Sequence, residues 1–347
     1  MPNIQDIYRC TPNQVKKYVE ECIKAQLVPF IQSSPGCGKS AIVKQIAQEY
    51  NLELIDLRLS TCDPTDLTGL PHFTKEGKAE FMPFNIFPLE NTPLPKGKDG
   101  WLLFLDEFNS ATKMVQAAAY KLVLDRQVGI HSLHPYCAVV AAGNLATDRA
   151  IVNSLSTAMQ SRVIHLEMQV NFDQWLQNVA LKQNYDKRII AFLSMYNSKL
   201  MDFDPDHQEK TFCCPRTWEF VNRLIKDQPI TDEYAPLLAG TITSGVAVEF
   251  VQFCQVYKNL VTVSQILKDP DNCPIPKETA VKWAVVSSIL ENVTTANFDK
   301  IAKYMERFGD ISFKILFYRS LYIRNPEIQN LPAFGKAMAS ISHRIYG

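Results

Sequence analysis

Ser33-Ser34-Pro35-Gly36-Cys37-Gly38-Lys39-Ser40 is the stretch on which the reading of this chain turns. An apolar run, Leu27 to Ile31, leads into it, and a helical pattern opening with Ala41-Ile42-Val43 leaves it, so it sits where a strand turns into a helix. That is a phosphate-binding arrangement. Gly36 and Gly38 permit backbone conformations that bring several N–H groups onto one anion; Lys39 can set its ammonium near the β- and γ-phosphates, and the Ser40 hydroxyl can ligate Mg²⁺. The P-loop pattern has glycine at its first position. Ser33 stands there instead, which makes the start of the loop less permissive and leaves the phosphate-facing half intact. The bland alternative is an ordinary glycine-rich turn, and it has to be weighed against the rest of the chain.

The chain has 347 residues, 46% hydrophobic and 21% charged, which is ordinary for a globular protein and long enough for two domains. Lys plus Arg equals Asp plus Glu at 36 each, so there is no general electrostatic pull toward nucleic acid or membrane. A local basic groove would not register in that sum, and nucleic-acid binding is left open. The nine cysteines are scattered, odd in number and without a CxxC pair, which points to reduced thiols and a cytoplasmic protein. Cys213-Cys214 with His207 nearby is too loosely spaced for a metal site and reads better as small buried residues near a helix start. No uninterrupted apolar stretch approaches the length of a membrane span, and the polar N-terminus does not read as a signal peptide.

Thr11 can cap a helix opening at Pro12, with Val15, Tyr18, Val19 and Cys22 at helical spacing, placing a helix beside the loop. Pro29 cannot donate to a ladder, so the first strand is expected to start there. After the loop, Ile42, Val43, Ile46 and Ala47 make one helical stripe, and Leu52 to Leu57 reads as a second buried strand. From Thr61 to Gly100 six prolines break any long element, and Phe73, Phe81, Phe84 and Phe87 punctuate the stretch. This is a surface insertion or a substrate-handling loop.

Trp101-Leu102-Leu103-Phe104-Leu105 is an apolar run suited to a strand covered on both faces, and it ends in Asp106-Glu107. Carboxylates at the carboxyl end of such a strand sit where α/β sheets bind ligands. Asp106 can hold the Mg²⁺ shell and Glu107 can orient and deprotonate a water aimed at the γ-phosphate. Read alone, the pair could cap the next helix near Ser110; alongside Lys39 that reading loses force. Val115, Ala118, Ala119 and Leu122 form the inner stripe of the following helix. His131 and His134 lie in a hairpin-like turn with no carboxylate or cysteine cluster, which favours a solvated turn over a metal site. Ala138 to Ala142 is a fourth strand ending at Gly143-Asn144, and the Asn144 amide can hydrogen-bond the γ-phosphate or the attacking water. Arg162, just before a fifth strand from Val163 to Met168, suits a residue presented to a neighbouring subunit. From Asn171 onward the pattern is helical, with segments at Trp175–Leu181, Ile189–Leu200, Trp218–Ile225, Val246–Val256, Ala280–Leu290 and beyond Pro332. The expected organisation is a core over residues 1–170, including the N-terminal helix and the insertion at about 61–100, then a helical region over 171–347.

The order of these features resembles the AAA+ ATPases. The detail looks most like the MoxR-type branch, including bacterial and bacteriophage-encoded forms. The matching stretches are Ile55-Asp56-Leu57-Arg58, Asp66-Leu67-Thr68-Gly69-Leu70-Pro71, Asp125-Arg126, Ala141-Ala142-Gly143-Asn144 and Cys214-Pro215-Arg216-Thr217-Trp218. The resemblance implies an α/β fold: a P-loop core with a parallel five-stranded sheet and a C-terminal all-helical lid with a helical extension. It implies ATP and Mg²⁺, with Ser34, Pro35, Gly36, Cys37, Gly38, Lys39, Ser40 and Ala41 around the nucleotide and Ser40 and Asp106 at the metal. Asp106 and Glu107 would be the Walker B pair, Asn144 sensor 1, Arg162 an arginine finger acting on a neighbour's nucleotide, and Arg216 sensor 2. Such proteins form hexameric rings and remodel other proteins, some with von Willebrand factor A-domain partners. No aromatic-glycine pore motif is evident between Thr61 and Gly100. The competing expectation is a nucleotide-dependent binding switch or a DNA or helicase loader; a P-loop kinase fits the arginine layout less well.

Overall fold

The computed structural model describes residues 7–148, 152–256 and 261–341. The chain divides into two compact units, Met1–Val170 and Asn171–Gly347. The first opens with β1 (Arg9–Cys10), α1 (Pro12–Lys24), β2 (Val28–Ser33), α2 (Lys39–Glu49) and β3 (Leu52–Arg58). α3 (Pro64–Thr68) and a hairpin of β4 (Leu70–Phe73) and β5 (Ala79–Met82) follow, then β6 (Gly100–Asp106) and α4 (Lys113–Leu124). A second hairpin, β7 (Gln127–Val128) and β8 (His131–Ser132), leads to β9 (Cys137–Asn144), α5 (Thr157–Gln160) and β10 (Val163–Met168).

The main sheet has the order β1-β10-β2-β9-β6-β3, and each of its pairings is parallel. It has six strands rather than the expected five. The sixth is β1, whose Arg9 and Cys10 pair with Glu167 and Met168 at the edge; two residues are too short to carry a periodic signal. Residues alternate between two helical layers, as parallel strands covered on both sides require. Ile31, Leu102, Phe104, Val140 and Ala142 pack with Val15 and Val19 of α1 and Val43 and Ile46 of α2. Phe30, Leu103, Leu105, Val139 and Ala141 face the other way, onto Val115, Ala119 and Leu122 of α4.

The ends of these elements follow local chemistry. Thr11 and Gln14 close a reciprocal capping box at the start of α1, Thr11 N–H donating to Gln14 Oε1 at 2.9 Å and Gln14 N–H to Thr11 Oγ1 at 3.4 Å. β2 begins at Val28, one residue before Pro29. Pro29 lies opposite Ile164 of β10, and β9 comes alongside only from Phe30, so the missing N–H falls where β2 has a single neighbour. β3 corrects the expectation of a buried second strand: it is the sheet's other edge, with Glu53, Asp56 and Arg58 exposed and the rest half-buried. The proline-rich insertion holds α3 and an exposed hairpin that presents Leu70, Phe73, Phe81 and Met82 to solvent. Gly69 turns into it at φ +94°, where a Cβ would lie 2.4 Å from the Met82 carbonyl oxygen.

In the second unit the described helices are α6 (Phe172–Trp175), α7 (Lys187–Met195), α8 (Pro215–Ile225), α9 (Ala235–Ile242), α10 (Ser244–Val256), α11 (Val263–Lys268), α12 (Thr279–Leu290), α13 (Phe298–Glu306), α14 (Ile311–Arg324) and α15 (Pro332–Ile341). Phe192 on α7 is ringed by Trp218, Phe250 and Phe253 at centroid separations of 5.7, 5.2 and 5.5 Å. The Trp218 indole N–H donates to the Lys199 carbonyl at 2.8 Å, so its polar edge is satisfied inside the cluster. No described helix is long and apolar enough to cross a membrane. An α/β core with a parallel sheet that carries the phosphate loop, followed by a helical C-terminal region, is the arrangement expected from the sequence.

Leu103 is fully buried while Phe73 is 73% exposed. Leu103→Ala is expected to cost about 2–5 kcal/mol of stability through the cavity it leaves, and Phe73→Ala less than about 0.5 kcal/mol. Urea unfolding midpoints of the two variants check this contrast.

Candidate active site

β2 ends at Ser33, Ser34 to Gly38 form the loop, and α2 starts at Lys39. Gly36 and Gly38 hold φ values of +78° and +99°, conformations that side-chain-bearing residues rarely adopt. Together they turn the chain sharply into an eleven-residue helix whose positive end meets the loop. A Cβ at Gly38 would meet no atom within 4 Å, so open space lies beside it. Ala41 closes the first turn, its N–H donating to the Gly38 carbonyl at 3.1 Å.

Ser33 is part of β2, paired with Asn144 of β9, and its φ is not in the left-handed region. Glycine's freedom is therefore not needed at that position, and the start of the loop is no less permissive for carrying serine. The side chain is fully buried and meets the Lys39 ammonium. Lys39 Nζ donates to Ser33 Oγ at 3.0 Å, to the Ser33 carbonyl at 3.1 Å and to Asn144 Oδ1 at 3.3 Å, while Ser33 Oγ donates to the Ser34 carbonyl at 2.9 Å.

The carboxylates lie across β9 from this contact. Ser40 Oγ donates to Asp106 Oδ2 at 3.2 Å, and the other oxygen, Oδ1, accepts the Glu107 N–H at 2.8 Å. Asp106 is only 8% exposed at the end of β6. A serine hydroxyl beside a nearly buried carboxylate is a pair of hard oxygen donors suited to Mg²⁺. Glu107 sits at φ +54°, a left-handed conformation at which the strand ends and the chain turns into Phe108–Ser110. Its carboxylate accepts a hydrogen bond from the Ser60 hydroxyl and lies 3.5 Å from Arg58 Nε, both contributed from the end of β3 and the turn after it. Neither Ser60 nor the role of Arg58 was signalled by spacing, because they reach Glu107 only through the β3–β6 register that sets Arg58 opposite Asp106.

Asn109 is the other residue with no sequence signal. It is 3% exposed, and its side-chain amide grips the backbone of Asn144 from both sides: Asn109 Nδ2 donates to the Asn144 carbonyl at 2.7 Å and Asn109 Oδ1 accepts the Asn144 N–H at 3.0 Å.

The fold thus brings Lys39, Ser40, Asp106, Glu107 and Asn144 to one end of the sheet. It does not bring Arg162 there. Arg162 precedes β10, whose first residue pairs with Val28, so Arg162 is level with Leu27 and lies about 20 Å along the strand direction from Ser33. It is exposed, donating to the Ala158 carbonyl at 2.8 Å with its guanidinium 5.5 Å from the Tyr120 ring centroid. Arg216 lies in the second unit, exposed in the first turn of α8. Cys213 is buried with its thiol against the Ile242 carbonyl at 2.9 Å, and burial pushes its pKa up to about 12, the setting of a structural cysteine. His134 packs edge-on against Trp101 at 4.9 Å, and His131 lies 3.3 Å from the Phe81 carbonyl.

No protein-family model and no curated protein matches the sequence. Among solved structures, a protein of Cytophaga hutchinsonii described as a candidate ATPase is 14% identical over 95% of this chain and 88% of its own, with a TM-score of 0.37. The Holliday junction branch migration motor RuvB of Thermotoga maritima is 16% identical over 86% of this chain and 87% of its own, also with a TM-score of 0.37. Likenesses at these scores do not bear on function, and the fold class stands on the chain's own strand order and phosphate loop.

Proposed function

We propose that the chain is a Mg²⁺-dependent ATP hydrolase of the AAA+ kind, of MoxR type, working in the cytoplasm as a hexameric ring that remodels a partner protein or complex. The observation that carries the reading is the convergence of Lys39 on Asn144 at 3.3 Å and of Ser40 on Asp106 at 3.2 Å, at the mouth of a glycine-bent loop. Binding falls to the loop N–H groups and the Lys39 ammonium. Bound Mg²⁺ would supply charge neutralisation between phosphate oxygens, held by Ser40 and Asp106. Glu107 orients and deprotonates the attacking water, and Asn144 donates its amide to that water or to the γ-phosphate.

Arg162, outside its own site and exposed, is assigned to the neighbour's nucleotide, and Arg216 to nucleotide contact from the helical unit. The client is a protein, with a von Willebrand factor A-domain protein as one form it could take. Turnover stimulated by DNA with a steep salt dependence would instead favour the loader reading.

Glu107→Gln is expected to keep ATP affinity while turnover falls about 10²–10⁴-fold, and Lys39→Ala to lose nucleotide binding. Equilibrium binding of a labelled nucleotide and phosphate release check both. Unchanged affinity in Lys39→Ala would overturn the site. Arg162→Ala is expected to cut turnover about 10³–10⁵-fold, and wild-type turnover per chain should collapse on dilution to a verified monomer. Constant specific activity through that dilution would remove Arg162 from the mechanism.

A further inference from the structure

β6 and β9 pair from Trp101↔Cys137 to Leu105↔Ala141, and there the ladder stops. It stops because Glu107 takes a left-handed φ of +54° and carries the chain off the sheet into a short turn at Phe108–Ser110. On its other side β9 remains paired with β2 up to Asn144 itself. Beyond Ala141 the β6-facing side of β9 therefore has no strand beside it, and this is the stretch that must hold Asn144 steady. The Asn109 side chain fills the place. A carboxamide has the same donor and acceptor as a peptide unit. Asn109 Nδ2 and Oδ1 bond Asn144 C=O and N–H at 2.7 and 3.0 Å, continuing the ladder with a side chain where the backbone has left.

Two further contacts belong to this brace. A Cβ at Gly143 would lie 2.2 Å from Asn109 Oδ1, so glycine is what lets the amide approach. The Asn109 carbonyl accepts the Asn153 N–H at 2.7 Å, and Asn153 Nδ2 donates to the Ala111 carbonyl at 2.9 Å, tying the chain after β9 to the same turn.

We propose that Asn109 is a positioning residue that surrogates for the missing strand and aims the Asn144 amide, coupling the turn that carries Glu107 to the strand end that carries Asn144. The inference rests on the assignment of Asn144 to the hydrolytic site. Asn109 acts through Asn144, whose backbone its side chain holds.

The test has two arms. In the nucleotide-free chain, amide hydrogen exchange at Asn144 should accelerate in Asn109→Ala. Asn109→Asp keeps an acceptor for that N–H and should retain more of the protection, while setting an oxygen against the Asn144 carbonyl. Unchanged exchange in Asn109→Ala overturns the brace. In the second arm, Asn109→Ala should lower kcat about 10–100-fold, the size expected when a catalytic group is misplaced by about 1 Å, with ATP dissociation constant and KM held within about two-fold. In an Asn144→Ala background the same substitution should cost less than about two-fold. An equal loss in both backgrounds, or no loss in the wild-type background, overturns the positioning role, and a melting temperature for each variant separates either outcome from unfolding. A wild-type chain that neither binds nor hydrolyses ATP would overturn the hydrolase reading instead, and the exchange arm would still decide the brace.

Discussion

The placement of β9 between β2 and β6 is the constraint on which the site depends. The phosphate loop leaves β2 and the carboxylates leave β6, and these strands are not neighbours. They stand two strand spacings apart, about 10 Å, and Asn144 at the tip of β9 lies between them. Lys39 reaches Asn144, and Ser40, one residue on along α2, reaches Asp106. Parallel pairing matters here because it puts the carboxyl ends of all these strands on one side, where the helix amino ends also point.

Ser33 illustrates how that geometry reassigns a residue. As a departure from a glycine pattern it looks like a defect at the start of the loop. In the fold it is a strand residue in register with Asn144, and its hydroxyl and carbonyl supply two of the oxygens around the Lys39 ammonium. A half-buried ammonium needs such acceptors, because an unpaired charge removed from water is costly. The lysine is thus held toward β9 by the residue that opens the motif.

Glu107 shapes the same end of the sheet through its backbone. Its left-handed backbone ends β6 immediately after Asp106, and the two adjacent carboxylates have different partners, Asp106 meeting Ser40 and Glu107 meeting Ser60 and Arg58. That turn also costs the sheet its β6–β9 ladder beyond Leu105, and the Asn109 amide stands in the vacated place. The edge position of β3 then has a use: an edge strand has one free side and polar ends, and its terminal Arg58 and the following Ser60 are available to the Glu107 carboxylate.

The amino-acid sequence by itself determined the P-loop, the buried strand ending in Asp106-Glu107, the strand ending in Asn144, the capped N-terminal helix and the change from mixed to helical pattern near Val170. These are local properties: glycine spacing, apolar runs and capping residues act within a few positions of one another. Only the tertiary structure decided the sixth strand, the edge position of β3, the contact of Ser33 with Lys39, the grip of Asn109 on Asn144 and the distance of Arg162 from its own phosphate loop. Each of these depends on which strands lie side by side and in what register, and a parallel sheet joins residues that are far apart in the chain, 35 positions apart for Asn109 and Asn144 and 105 for Lys39 and Asn144. Spacing along the sequence carries no trace of such pairings, because hydrogen bonds between strands are chosen by the packing of the whole layer.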